Sequence, residues 1–260
     1  MAEGRIAVVT GASAGIGEAT ARALAARGWH CVLLARREER LRSVAAATGG
    51  EVELCDIGDR ADIEAAAQRI AGRHPAVHLL VNNAGIPARG TFLGVDLDLV
   101  ERVMRVNYLG GVFMTRALLP ALHAGARRGG AHVVNVVSVA GTVSFAPAGA
   151  YAASKHAQLA FSRSLRAALR GSGIAVHTVI PGFVETEGFP QHGVLKSRLL
   201  RRFVIYPPRV ADAVVTAVEK GQGEVVVPWF PYRLTGMLQA LSPALMARLV
   251  GMSDYRKDAV

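Results

Sequence analysis

The sequence predicts a doubly wound α/β fold, in which a parallel sheet of seven strands carries helices on both faces. Short apolar runs alternate with longer amphipathic stretches along most of the chain, a pattern typical of consecutive β–α units. The apolar runs lack the every-second-residue polarity of a half-exposed strand, so both faces of the sheet should be covered. The 260 residues contain neither a repeat nor a low-complexity linker, which favours a single domain.

The predicted elements follow one another in a regular order. A first strand enters a glycine-rich turn, and each later strand is followed by a stretch with apolar residues at helical spacing. The strands are expected at 6–10, 31–35, 52–55, 77–81, 132–137, 176–180 and 225–227. The helices are expected from the turn to Gly28 and over 37–47, 61–72, 97–122, 150–170 and 209–221.

Three regions of different purpose are expected. Residues 1–230 should form the nucleotide-binding and catalytic domain. Within it, 187–206 fit no regular pattern and are interpreted as a mobile substrate lid. Residues 231–260 form an amphipathic extension, with leucines at helical spacing interrupted by Pro243. We expect this extension to pack on the body or on a partner subunit; a membrane-surface role for 231–254 is the less favoured alternative.

The charge of the chain raises the question of a polyanionic partner. The formal net charge is +10, and 26 of the 30 basic residues are Arg. These arginines are not interleaved with aromatic residues and match no nucleic-acid motif, so no nucleic acid is expected as a partner. The two cysteines lie in apolar runs and do not form a disulfide framework. The N-terminus lacks the layout of a signal peptide, so a cytoplasmic location is expected.

A glycine-rich octet, Thr10–Gly17, lies between the first predicted strand and the first helix. Its spacing is G-x-x-x-G-x-G, and such a turn brings backbone N–H groups and a helix N-terminus close to a pyrophosphate. The same octet contains G-x-S-x-G around Ser13, the nucleophile elbow of α/β-hydrolases. Only twelve residues precede Ser13, too few for the earlier oxyanion loop, so a Rossmann-type dinucleotide site is preferred.

The end of the second strand indicates which dinucleotide is bound. An acidic residue there accepts the ribose 2′-hydroxyl of NAD, whereas an Arg accommodates the 2′-phosphate of NADP. Here the strand ends in Arg36-Arg37, and a guanidinium is a planar, permanently charged partner for phosphate. The sequence therefore predicts NADP(H).

Tyr151 and Lys155 lie four residues apart at the start of a predicted helix and so share a face. A free tyrosine has a pKa near 10, and a neighbouring ammonium favours its phenolate and brings that pKa toward neutrality. The pair is a candidate acid/base unit. Alone it is a weak signal, because such pairs are common on exposed helices.

The chain resembles the short-chain dehydrogenase/reductase superfamily, in its compact single-domain branch, from about residue 4 to residue 228. Several motifs in the right order carry the resemblance. They are Thr10–Gly17, Asp56, Asn82–Gly85, Asn107, Ser138, Tyr151 with Lys155, and Pro181-Gly182 with Thr186.

The resemblance implies a proton-transfer set of four residues. Tyr151 would protonate the carbonyl oxygen during reduction, and Lys155 would lower the pKa of Tyr151 and bind the nicotinamide ribose. Ser138 would hold the substrate oxygen. Asn107 would support a water in a relay behind Lys155. The implied activity is hydride transfer between NADP(H) and a carbonyl or alcohol, with the hydride chemistry belonging to the cofactor.

The resemblance also implies the binding residues. Cofactor contacts are expected from Gly11, Ser13, Gly15, Ile16, Gly17, Arg36, Arg37, Asp56, Ile57, Asn83, Ala84, Gly85, Tyr151, Lys155, Pro181, Gly182, Val184 and Thr186. Substrate contacts are expected from Ser138, Tyr151 and Phe183, in apolar surroundings that favour a neutral, fairly hydrophobic molecule.

The sequence also leaves rival functions open and predicts that a catalytic metal is absent. An enoyl reductase of the same fold and a non-catalytic NADP-binding redox sensor are the rival functions. No catalytic metal is expected, because Pro75 separates His74 from His78 and no Cys/His cluster occurs. A homodimer or homotetramer is implied by the resemblance alone.

Overall fold

The computed structural model describes residues 4–90, 94–144, 148–191, 195 and 200–252. Seven parallel strands form one sheet in the order β3-β2-β1-β4-β5-β6-β7, which confirms the predicted fold class. The strands are β1 Ile6–Thr10, β2 His30–Ala35, β3 Glu51–Leu54, β4 Leu79–Asn82, β5 Ala131–Val136, β6 Ile174–Pro181 and β7 Glu224–Val227. Parts of the predicted lid and of the C-terminal extension lie outside the described residues.

Helices follow the strands and cover both faces of the sheet. They are α1 Gly15–Ala25, α2 Glu38–Thr48, α3 Arg60–Arg73, α4 Leu97–Met104, α5 Gly110–Ala126, α6 Gly149–Ala168, α7 Pro207–Glu219, α8 Tyr232–Leu241 and α9 Pro243–Met252. Among the described residues, no helix combines the length and the apolar character needed to cross a bilayer.

The stretch predicted as one pattern from 97 to 122 is divided in the structure. A π-helical turn, Arg105–Leu109, separates α4 from α5. Gly110 follows it, and a Cβ atom on Gly110 would lie only 2.3 Å from the Ile57 side chain. The chain therefore passes very close to the end of β3 here. Single π turns inside helices often occur at functional positions, and this one carries Asn107.

Burial explains why the strands show no polar alternation. In β1, Ala7 and Val9 belong to one apolar core with α1, α2 and α7, whereas Val8 belongs to a second core with α3 and α5. The side chains of Ala7, Val8 and Val9 are all fully buried. Because successive side chains point to opposite faces, a sheet covered on both sides favours apolar residues at consecutive positions.

The carboxyl ends of β1 and β4 define where a ligand can bind. These strands are neighbours in the sheet although β2 and β3 intervene in the chain. The connections that follow β1 and β4 therefore lead to opposite faces of the sheet and leave a crevice between them. The hydroxyl of Thr10 accepts hydrogen bonds from the backbone N–H groups of Asn83 and Ala84, both at 3.0 Å. That hydroxyl joins the glycine-rich turn to the end of β4.

Candidate active site

A cavity of about 490 Å³ opens at the carboxyl ends of the strands. The glycine-rich turn and Arg36 line one part of it, and Ser138, Tyr151 and Lys155 line another. All the site residues predicted from the sequence border this cavity except Gly17 and Asn107. Residues separated by more than one hundred positions in the chain thus meet in one crevice.

The glycine-rich turn has the shape of a phosphate cradle. Gly11 and Gly15 have φ angles of 67° and 60°, a left-handed conformation that glycine adopts without strain. A Cβ atom on Gly17 would lie 2.2 Å from the carbonyl oxygen of Gly11, so Gly17 allows α1 to start against the turn. No side chain caps α1 at Ala14, which leaves its N-terminal end available to an anion.

Asn83 holds the turn from the opposite side. Its side-chain Nδ2 donates to the carbonyl oxygen of Thr10 at 2.9 Å. The amide therefore fixes β1 to the end of β4 while Ala84 and Gly85 border the cavity. Asn83 itself also borders the cavity, where a cofactor contact was expected from the sequence.

Positive charge gathers at one end of the cavity. Arg37 donates to the Ser13 hydroxyl at 3.1 Å from Nη2, and Arg36 reaches Asp56 at 3.4 Å. Both guanidinium groups remain at least half exposed. A phosphate at this position could bond to Ser13 and Arg37 together, because a fork of N–H donors suits phosphate oxygens.

Two residues near this cationic end were not predicted from the sequence. Glu187, at the start of the predicted lid, forms ion pairs with Arg40 and, at 3.6 Å, with Arg37. The Arg40 hydrogen bond is the main cause that lowers the pKa of Glu187. Arg40 and Glu187 are 147 positions apart, so no local pattern could have indicated the contact. The pair connects the lid segment to α2.

Lys155 is buried beside Tyr151 at the start of α6. Its ammonium nitrogen Nζ lies 5.9 Å from the centre of the Tyr151 ring. Nζ donates to the carbonyl oxygen of Val136 at 3.2 Å and to Gln158 Oε1 at 2.8 Å. Burial lowers the pKa of Lys155 from 10.5 to about 7, because an ammonium loses hydration there and neither acceptor carries a charge.

Gln158 is a site residue that sequence reasoning missed. It is 3% exposed and lies on the inward face of α6, three residues after Lys155. A glutamine on the inward face of a helix must satisfy its amide, and that requirement was the signal available in the sequence.

Asn107 lies behind Gly85 rather than on the cavity wall. Its Oδ1 accepts from the backbone N–H of Ile86 at 2.8 Å, and its Nδ2 donates to the Ile86 carbonyl at 3.1 Å and to the Ser154 hydroxyl at 3.0 Å. A Cβ on Gly85 would lie 3.4 Å from Asn107 Oδ1 and 3.7 Å from Lys155 Nζ. Asn107 thus holds the loop after β4 against α6 and lies close to Lys155.

The substrate side of the cavity is mainly apolar. Ser138 follows β5, and its hydroxyl accepts from the backbone N–H of Ala140 at 3.1 Å. The ring centre of Phe189 lies 5.3 Å from that of Tyr151, and Phe183 also borders the space. Tyr151 therefore has an apolar neighbour from the lid segment on one side and a buried ammonium on the other.

Gly182 connects this site to the C-terminal helices. A Cβ atom there would lie 2.0 Å from the ring of Tyr232, the first residue of α8. The Tyr232 hydroxyl accepts from the N–H of Phe183 at 3.3 Å and donates to the Phe203 carbonyl at 3.2 Å. The absence of a side chain at Gly182 thus seats α8 directly beside the cavity.

Three potential metal ligands meet at the other end of the sheet. The Nε2 atoms of His30 and His74 lie 2.7 Å and 2.8 Å from Glu51 Oε1. His74 therefore lies with His30 and Glu51, and not with His78, the histidine considered with it in the sequence analysis. Burial would raise the pKa of Glu51, but these hydrogen bonds outweigh it and lower that pKa. The cluster lies at the amino ends of β2 and β3, away from the cavity. The absence of a catalytic metal remains a prediction.

Comparison with known proteins identifies the family. The family model described as short chain dehydrogenase matches residues 5–192. Dehydrogenase/reductase SDR family member 7B of Bos taurus is 34% identical, over 97% of this chain and 82% of the relative. The corresponding mouse protein is 33% identical over the same shares. The chain belongs to the short-chain dehydrogenase/reductase family, which is a family of oxidoreductases.

Solved structures share this architecture. A short chain dehydrogenase/reductase of Burkholderia phymatum in complex with NAD matches with a TM-score of 0.81 and 28% identity, over 94% of this chain and 95% of the other. An alcohol dehydrogenase of Thermococcus sibiricus complexed with 5-hydroxy-NADP matches with a TM-score of 0.74 and 25% identity, over 85% and 95%. Both kinds of nicotinamide dinucleotide thus occur among the similar structures.

Proposed function

We propose that this protein is an NADP(H)-dependent carbonyl reductase or alcohol dehydrogenase. It transfers hydride between the nicotinamide and a neutral, fairly hydrophobic ketone, aldehyde or secondary alcohol. One observation carries the proposal: a single cavity joins Ser138, Tyr151 and Lys155 to the cationic end formed by Arg37 and Ser13. This arrangement supports a site in which Tyr151 is the proton donor and the Arg37–Ser13 end binds a phosphate.

In this reaction the cofactor supplies or accepts the hydride, and the protein handles the proton. The Tyr151 hydroxyl donates its proton to the carbonyl oxygen in reduction and recovers it in oxidation. The Ser138 hydroxyl holds the same oxygen and orients the carbonyl. The Lys155 ammonium, buried 5.9 Å from the Tyr151 ring centre, stabilises the phenolate that Tyr151 becomes.

The preference for NADP(H) is supported by the charges after β2. Arg36 and Arg37 occupy the place where an acidic residue would receive the 2′-hydroxyl of NAD. The Ser13 hydroxyl, already bonded to Arg37, adds a neutral donor for a phosphate oxygen. A 2′-phosphate would offset the repulsion between the two neighbouring guanidinium groups.

An apolar substrate is supported by the side chains beyond Ser138 and Tyr151. Ile86, Val139, Phe183 and Phe189 border this space. Arg89, the fixed charge nearby, donates to the carbonyl oxygen of Pro190 and thereby holds the lid segment. A neutral carbonyl with a hydrophobic body would match these walls.

A screen of NADPH consumption tests the proposal. The purified protein is mixed with NADPH and a panel of aliphatic, aromatic, steroid and acyl-carrier ketones, and the loss of absorbance at the NADPH band is followed. We expect turnover with apolar neutral ketones and a lower kcat/KM with NADH. Tight NADPH binding without consumption across the panel would instead support a redox sensor, and reduction of conjugated C=C bonds would support an enoyl reductase.

A further inference from the structure

The C-terminal helices expose an unusual concentration of large apolar side chains. Seven of the eleven exposed large hydrophobic residues in the described part of the chain lie between positions 229 and 249. We call them the C-terminal apolar face, and they are Trp229, Phe230, Leu234, Met237, Leu241, Leu245 and Leu249. Scattered apolar residues are normal on a protein surface, whereas such a concentration marks an interaction site.

The face is the outer side of helices whose inner side is already packed. Tyr232 and Met246 are 7% and 6% exposed, so each helix has a residue buried against its surroundings. Leu234, Met237 and Leu241 recur at three- and four-residue spacing and project from α8 on a common face, where Leu241 is 82% exposed. Packing on the body of the protein therefore accounts for the inner side and leaves the outer side without an internal partner among the described residues.

The charges around the face are mostly positive. From Val225 to Met252 the sequence contains no Asp or Glu, and it includes Arg233 and Arg248. Arg233 pairs at 3.0 Å with Glu224, which lies just before this segment. The rings of Phe203 and Phe230 meet at 6.0 Å, which places the exposed Arg201 and its neighbour Arg202 beside the aromatic end of the face. Exposed apolar side chains flanked by arginines complement an anionic lipid surface.

We propose that the C-terminal apolar face docks this protein onto the surface of an anionic lipid bilayer. The apolar side chains enter the boundary between headgroups and acyl chains, and the flanking arginines meet the anionic headgroups. A second copy of the chain fits less well. A twofold contact would bring the arginines of two copies together. The carboxylate of Glu224, which lies beside them, is already paired with Arg163 and Arg233.

The docked orientation has a consequence for the substrate, which rests on the proposed function. The Tyr232 hydroxyl is bonded to the backbone of Phe183, a residue that borders the cavity. A Cβ atom on Gly236 would lie 3.1 Å from the Thr142 hydroxyl, in the loop that follows Ser138. The helix that carries the face thus packs beside the rim of the cavity. On the proposed function, the substrate is then a hydrophobic carbonyl that enters from the lipid phase.

Vesicle binding by the full-length chain tests the docking. Vesicles of phosphatidylcholine alone and of phosphatidylcholine with phosphatidylglycerol are compared in flotation experiments. Tryptophan emission gives a second readout, because Trp229 is 58% exposed whereas Trp29 is 7% exposed. We expect binding to the anionic vesicles, weakened by salt, together with a blue shift of the emission.

The variant L234Q/M237Q/L241Q removes part of the face while keeping good helix formers. Its partition coefficient for anionic vesicles should fall by about tenfold or more. The control L97Q removes a leucine that is 70% exposed on α4 and should bind like the wild type. All three proteins should oxidise NADPH equally with a small water-soluble ketone.

The outcomes are distinguishable. The docking is overturned if the wild type does not float with the anionic vesicles. It is also overturned if the triple variant binds them as well as the wild type. If the wild type binds no vesicles and is an oligomer, and the triple variant is a monomer, the face is instead the contact with a second copy. Vesicle binding by a protein that reduces no ketone would leave the docking intact and reject the proposed function.

Discussion

The ammonium of Lys155 donates a hydrogen bond to the side-chain carbonyl oxygen of Gln158 at 2.8 Å, inside the protein. The two residues lie one turn apart on α6, and the backbone carbonyl of Val136 is the second acceptor. A neutral acceptor holds the lysine in place. A carboxylate would in addition stabilise the charged form of the lysine strongly. Gln158 therefore affects both the position of Lys155 and the ease with which it loses its proton.

Replacing Gln158 should move the pH dependence of the reaction. The pKa of Lys155 is about 7, so the charged form that assists Tyr151 is lost as the pH rises through that value. Gln158→Glu brings a negative charge to the ammonium, and the alkaline limb of kcat/KM should shift to higher pH. Gln158→Met removes the hydrogen-bond acceptor while keeping a side chain of similar size. The alkaline limb of kcat/KM should then shift to lower pH.

The measurement is the kcat/KM of ketone reduction from pH 5 to 10 for the three proteins, with the Kd of NADPH determined alongside. Shifts of opposite sign identify Gln158 as a positioning residue that acts through Lys155. Equal losses at every pH in both variants would show only a packing role.

Tyr151→Phe should greatly slow turnover and leave NADPH binding nearly unchanged. The substitution removes the proton donor but keeps the ring that packs beside Phe189. We expect kcat to fall by about a hundredfold to ten-thousandfold, the range that general acid catalysis contributes. NADPH fluorescence titration and NADPH oxidation supply the two measurements.

Tyr108→Phe is a matched control for this variant. Tyr108 packs edge-to-face on Phe161 at 6.3 Å and does not border the cavity described above. Its phenylalanine variant should retain full activity. A Tyr151→Phe protein with comparable activity would reject the assigned proton donor.

Arg36→Asp should shift the cofactor preference from NADPH toward NADH. A carboxylate at the end of β2 repels a 2′-phosphate and can accept from a 2′-hydroxyl. We expect the ratio of kcat/KM for NADPH to that for NADH to fall by about ten- to a hundredfold, as for the loss of one charged hydrogen bond.

Arg42→Asp makes the same change of charge at a different place. Arg42 is on α2 and pairs with Glu38 on the surface, so its variant measures the effect of net charge alone. The ratio should stay near that of the wild type. An equal change of the ratio in both variants would rule out a local contact with the phosphate.

The fold was predictable because its signal is local and repeated. The apolar runs that became β1 and β2 are buried on both faces, and burial of that kind favours consecutive apolar residues. The π-helical turn at Arg105–Leu109 was not predictable. It is followed by the close approach of Gly110 to Ile57. That contact joins two distant segments and leaves no periodic pattern.

The candidate site was predictable wherever a residue belongs to a spaced motif. The glycine-rich turn and the Tyr151–Lys155 pair are of this kind. Gln158, Arg40 and Glu187 were missed, because each takes its place from a partner supplied by the tertiary structure. The resemblance expected Asn107 to support a water, and the structure adds its direct hydrogen bonds to the backbone of Ile86.

Gly182→Ala should destabilise the protein through Tyr232. A Cβ atom would lie 2.0 Å from the Tyr232 ring, and excess volume in a packed contact costs about 1–3 kcal/mol of the free energy of unfolding. Tyr232→Leu shortens the opposing side chain, so the same alanine should cost much less in that background. Gly188→Ala is the control, because a Cβ there meets nothing within 4 Å.

Urea unfolding of the wild type, the two single variants and the double variant gives the coupling free energy between the two positions. A large coupling shows that α8 is held to the site by the contact between Gly182 and Tyr232. If the alanine costs the same in both backgrounds, the destabilisation arises in the backbone after β6, and α8 is held by other contacts. NADPH turnover by the double variant then reports whether the seating of α8 also shapes the cavity.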